Sequence, residues 1–138
     1  MKQFIVMAAV LPLLMIFVMQ FSLEQQNQNR IAAFQEIVYS IKEQARQEGR
    51  FTPAMKTALA SAAAKCFEVD ESEIIIEADS DIKYRRNTFD ERELIHYKVK
   101  APIKKIMAGN RLLGISDDAN SGWYVIEGSA ASEKLRDE

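Results

Sequence analysis

Residues that carry chemistry are scarce in this chain: 138 residues contain one cysteine and one histidine. A single cysteine, Cys66, excludes an intrachain disulfide, and no Cys/His set has zinc-ligand spacing. Its Ala-rich surroundings mark it as a small apolar residue of a helix face rather than half of an intermolecular bridge. Glycine is rare (5) and proline rarer (3), and no glycine-rich loop that could cradle a phosphate occurs. A basic surplus is also missing. Lys and Arg total 18 against 20 Asp and Glu, and no nucleic-acid partner is expected from a net charge of −2. The most informative absence is local: between Phe4 and Phe21 there is no charged residue, and Gln20 is the only polar side chain.

That run is what the chain has instead. Phe4, Ile5, Val6, Met7, Ala8, Ala9, Val10, Leu11, Pro12, Leu13, Leu14, Met15, Ile16, Phe17, Val18 and Met19 are apolar on every side of a helix. Such a helix needs lipid, a large core or other copies of itself. At about 1.5 Å per residue, Phe4 to Leu23 spans roughly 30 Å, the thickness of a hydrocarbon core. The remaining chain, roughly 115 residues, is one modest domain and cannot enclose a rod of that length. A cleaved secretory signal would end in a small-x-small site. The run ends Met19-Gln20-Phe21-Ser22-Leu23-Glu24, so the segment is expected to stay in the molecule. Lys2 on one flank and Glu24 with a neutral Gln/Asn stretch on the other place the N-terminus inside and the rest of the chain outside. Pro12 predicts a bend or a locally melted turn over residues 8–11.

The helix is predicted to continue to residue 48 with a change of character. Residues 24–30 are polar; then Ile31, Phe34, Ile37, Val38, Ile41 and Ala45 recur at three- and four-residue steps, one apolar stripe. No Pro or Gly interrupts residues 13–48, so one helix from about residue 3 to 48 is expected, approaching 70 Å by rise per residue. Gly49 would end it. Thr52 and Pro53 read as the N-cap and first position of a second helix whose apolar face is Met55, Leu59, Ala62, Ala63 and Cys66.

From Phe67 the period becomes that of strands. Residues 72–77 form one, Ile82 to Arg85 extend it past a bulge, and residues 85–93 read as a charged hairpin loop. Ile95, Tyr97, Val99 and Ala101 alternate with His96, Lys98 and Lys100 in a half-buried strand that Pro102 stops. Ile103 to Leu113 reads as a short helix or an irregular crossover turning Ile103, Ile106 and Leu112 inward. Residues 116–122 are turn chemistry, Trp123 to Glu127 a last strand, and the tail from Ser129 a short helix or frayed. Trp123 and Tyr124 read as packing residues. The fold class is α+β: a long N-terminal helix, hydrophobic then amphipathic, a second short helix and a small three- to four-stranded antiparallel sheet. Its divisions are residues 1–23 (membrane or filament core), 24–48 (amphipathic continuation) and 49–138 (head).

Little in the head suggests catalysis. His96 lies on the polar side of its strand with no nucleophile in sequence reach, so it reads as a surface histidine. Asp79 and Asp81 could hold a cation but suit a bulge better. Asp118-x-Asn120-x-Gly122 matches the opening of a calcium loop, yet Trp123 to Ile126 supply no acidic ligand. No enzyme, cofactor or metal is expected.

A long helix, apolar first and amphipathic second, followed by a small antiparallel sheet, resembles a type IV pilin. Ala8-Ala9-Val10-Leu11-Pro12-Leu13-Leu14-Met15-Ile16 is similar to the Ala-Leu-x-Leu-Pro-Leu-Leu run of TadE-like proteins of tight-adherence pilus systems. The strand at Ile74 to Ile76 and the one ending Tyr97-Lys98-Val99-Lys100-Ala101-Pro102 suit that group. The chain departs from it in two respects: no basic leader ending in glycine precedes Met1, and Ile5 stands where pilins carry a glutamate. Met1 is thus expected to be either a processed first residue or the start of a chain inserted uncut.

The resemblance implies a structural subunit of an extracellular filament, held in the inner membrane by one pass and then polymerising into a helical homopolymer. Its filament core would be Phe4, Ile5, Val6, Val10, Leu11, Pro12, Leu13, Leu14, Ile16, Phe17, Val18 and Phe21. Ile31, Phe34, Ile37, Val38 and Ile41 would pack the helix to the head. Partners would be copies of itself, the membrane before assembly and other pilus-assembly proteins. The alternative is a single-pass protein whose outer domain scaffolds a pilus, secretion or conjugation machine without polymerising.

Overall fold

With no proline or glycine to break it after Pro12, the first helix (α1) runs from Lys2 to Glu48 in a computed structural model that describes residues 1–87 and 90–137. Residues 8–11 are helical, so the turn before Pro12 is not melted. The backbone bond that proline removes is one among many in a helix of 47 residues. α1 ends at Gly49, whose φ of +78° is left-handed. Glycine is required there twice over, because a Cβ would also lie 2.5 Å from the Lys83 carbonyl oxygen.

The second helix (α2, Pro53–Phe67) starts as its sequence dictates. Thr52 is extended and its hydroxyl accepts from the Met55 N–H at 3.2 Å, with Pro53 at the first position. Three strands follow: β1 (Ile75–Ala78), β2 (Leu94–Ile103) and β3 (Gly122–Ala131), in the order β1-β2-β3, one antiparallel sheet. Ile75 faces Lys100 and Ala78 faces Tyr97 across the β1–β2 pair. The molecule is α+β.

Several boundaries differ from expectation. Residues 71–73 are a single 3-10 turn, so β1 starts three residues later than predicted. Ile82 to Arg85 form no strand, because their backbone is used elsewhere. Lys83 N–H donates to Gly49 O at 2.8 Å and Arg85 N–H to Lys134 O at 2.7 Å. β2 does not stop at Pro102 but runs to Ile103; Pro102 lies beyond the residues that pair with β1, so its missing N–H costs no bond to that strand. The tail is neither helical nor frayed at its start. Ser132 is buried, its N–H donating to Glu93 O and its hydroxyl to Lys83 O, and Glu133 N–H donates to Arg46 O. Within the expected loop at 85–93, Thr88 and Phe89 lie outside the described residues; its end is a 3-10 turn, Glu91–Glu93, capped by Asp90.

Contacts divide the chain into two units. One joins Ile31–Pro102 to Trp123–Glu138. Its core contains Phe34, Val38 and Ala45 of α1, Leu59, Ala63 and Phe67 of α2, and Ile95, Val99 and Ala101 of β2. Phe34 is the hub: it meets Phe67 edge-on at 5.3 Å and Tyr124 at 6.2 Å. Ala45, Phe51 and Ile95 form a second cluster beneath Ile41, Met55 and Tyr97. The other unit joins Met1–Arg30 to Ile103–Gly122.

Candidate functional site

The site is the first half of α1. Phe4, Ile5, Val6, Val10, Leu11, Leu13, Leu14, Phe17, Val18 and Phe21 are all exposed, on every side of the helix. Its most apolar 18-residue window is 0% buried. Ile16 alone of the predicted apolar set is partly covered, and Pro12 is exposed. Keeping each such large side chain in water costs about 1.5–3 kcal/mol. The run as a whole therefore outweighs the net stability of a small domain, about 5–15 kcal/mol. Among the described residues, α1 is the one helix long and apolar enough to cross a membrane. It fits a transmembrane helix and is consistent with a membrane anchor.

The sequence did not reveal what covers Ile16. Residues 105–109 descend one face of α1 toward its N-terminus. Asn27 Nδ2 donates to Lys105 O at 2.9 Å. One turn and more below, Gln20 Nε2 donates to Ile106 O at 3.1 Å and Gln20 Oε1 accepts from Ala108 N–H at 2.8 Å. Gly109 then packs on Ile16, where a Cβ would make an ordinary contact 3.4 Å from Ile16 Cγ1, so it is the φ of +69° that calls for glycine. The one polar side chain of the apolar run is thus satisfied through both its donor and its acceptor.

Two buried asparagines hold the segment's shape. Asn120 Oδ1 accepts from Met107 N–H at 2.7 Å, and its Nδ2 donates to Met107 O at 2.8 Å. Asn110 Nδ2 donates to Ile115 O and to Asp117 Oδ1, both at 2.9 Å. Hydrogen bonds from Arg111 and Asn110 hold the Asp117 carboxyl below the usual carboxylate range. With Asn120 spent on backbone, the calcium-loop pattern at residues 118–122 describes a turn. The inward turn expected of Ile106 and Leu112 is corrected: Ile106 is exposed, and Leu112 and Leu113 are 76% and 62% exposed in a single 3-10 turn, Asn110–Leu113. Their places inside are taken by Ala108, Asn110 and Asn120.

In the other unit, Phe34 and Val38 are buried, whereas Ile31, Ile37 and Ile41 are half-buried. Trp123 is corrected from packing residue to surface residue, 56% exposed on the same side of β3 as Val125. Tyr124 points the other way, its hydroxyl accepting from Gln35 Nε2 at 2.6 Å. His96 is exposed and lies 3.3 Å from Asp79 Oδ2, which also accepts the His96 N–H at 2.9 Å. Burial pushes the Asp79 carboxyl up, but the bonds from His96 outweigh it and hold the group below its ordinary value. Burial pushes the half-buried Cys66 thiol up, away from the reactive thiolate. No group of three or more potential metal-ligating side chains occurs among the described residues. An open groove of about 340 Å³ beside Gln35, Tyr39, Lys42 and Tyr124 brings together amide, phenol and amine groups without a nucleophile–base pair.

No family model matches the chain, and neither a curated protein nor a solved structure matches it.

Proposed function

We propose that this chain is a pilin-like structural subunit of an extracellular filament, anchored in the membrane by α1 and polymerising through its apolar first half. One observation carries the reading: residues 4–21 offer apolar side chains to every direction, with no ion to bury and the lone amide already paired. A bitopic anchor needs only enough apolar length to cross. A rod free of charge and unmet polar groups can in addition leave lipid for a bundle of identical rods, because packing replaces packing. Head-to-tail repetition of such a contact does not close and yields an open helical polymer.

Electron microscopy of sheared surface material, with immunolabelling of the chain, tests the reading. Filaments containing the protein are the expected result. Protein found wholly in detergent-extracted membrane, with no filament, would favour the non-polymerising scaffold instead. Intact mass of the chain recovered from filaments reports whether Met1 is retained.

A further inference from the structure

We propose that Ile103–Gly122 is a membrane-surface collar, seated on the lipid where α1 emerges, with Leu112 and Leu113 entering the acyl boundary. The inference rests on α1 being a membrane span and goes beyond it by assigning the lipid a second binding element.

Depth along α1 supplies the argument. From Lys2 to Gln20 is about 27 Å by helical rise and from Lys2 to Ile16 about 21 Å, against a hydrocarbon thickness of about 30 Å. Gln20 and Ile16 therefore lie within or at the edge of the apolar layer when Lys2 marks its opposite face. The segment is fixed to those two residues, by the paired bonds of Gln20 to Ile106 and Ala108 and by the packing of Gly109 on Ile16. The turn that follows Gly109 carries Leu112 and Leu113, the two most exposed large hydrophobic side chains of the segment. Lys105, whose carbonyl is bonded to Asn27 and which lines a surface hollow with Ser22, Leu23 and Gln26, sits beyond Gln20 on the side away from Lys2, toward the lipid headgroups. Lys104 adjoins it. Apolar residues are thus deepest and lysines shallowest, the order an interfacial element requires. Arg111 beside the leucines is paired with Asp117, which lessens the cost of a charge at that depth.

The test uses the full chain carrying Cys66→Ala, reconstituted in vesicles of phosphatidylcholine and phosphatidylglycerol with doxyl-labelled acyl chains. An environment-sensitive fluorophore is attached in turn at Leu13→Cys, Leu112→Cys and Asn29→Cys. Expected are blue-shifted, doxyl-quenched emission at positions 13 and 112 and neither at 29. Quenching at 13 with none at 112 overturns the collar and leaves the span standing. Loss of quenching at both overturns the span and the collar with it. A blue shift at 112 that grows with the protein-to-lipid ratio, unquenched by doxyl lipid, assigns the face to a second copy and also overturns the proposal. In the same background, Gln20→Ala is expected to lose the quenching at 112 while keeping it at 13. Quenching retained at 112 would remove Gln20 as the seat.

Discussion

Residues 4–21 and 31–45 belong to one helix, yet they solve opposite problems. In the first stretch large side chains point every way and stay exposed; in the second a single stripe, Phe34, Val38 and Ala45, is buried and the other faces are wet. The difference lies in spacing rather than in helix-forming tendency. Apolar residues at every position need an apolar solvent, whereas apolar residues at three- and four-residue steps need only one packed surface. The two stretches therefore predict failures of different kinds when a residue is changed.

The largest effect is expected in the first stretch. Val10→Asp combined with Leu13→Asp costs about 5–7 kcal/mol in lipid, at roughly 2.5–3.5 kcal/mol per charged residue. Membrane flotation should show loss of the anchored form and sheared fractions should hold no filament, while circular dichroism still reports a folded sheet. Filaments of ordinary length from the doubly charged chain would break the contrast. Next is Phe34→Ala, which empties the hub between Phe67 and Tyr124 and costs about 3–5 kcal/mol. Urea titration in detergent should show early unfolding of the sheet with membrane retention unchanged.

Gly49→Ala is expected to cost about 1–3 kcal/mol through its left-handed backbone, with the Lys83 carbonyl crowding adding to it. The same titration reads it. Smallest is a pH effect at Asp79. Its carboxyl is held below the ordinary value of 3.8 when folded, so its contribution is fully present above that value and is lost as pH falls through the lower folded value. Asp79→Asn should flatten the acid limb of a thermal-stability profile, and an unchanged limb would assign the acid sensitivity to other carboxylates.

Local rules made much of the fold legible. The length of α1 followed from the lack of breakers, the start of α2 from Thr52-Pro53, and β2 from the alternation around Tyr97. Where the reading went astray, the deciding bonds were distant in sequence. Ile82 to Arg85 have strand-like residues, but Gly49 and Lys134 take their backbone groups. Ile106 and Leu112 read as core because they are apolar, yet Asn110 and Asn120 occupy the interior by bonding backbone that no strand or helix satisfies. Two signals for that segment were available. A lone glutamine in an apolar run must find partners, and Gly109 with Gly114 brackets a stretch of no clear period.

Gln20 also bears on the proposed passage of α1 from lipid into a filament. An amide carried alone from lipid into a bundle would have to exchange partners on the way, and each exchange would raise a barrier. In the proposed filament it would travel with its partners attached, since Ile106 and Ala108 belong to the same chain. The helix cannot shift along its axis without taking residues 105–109 as passengers. Any neighbour that packs against this end of the rod must fit around the pair rather than the helix alone.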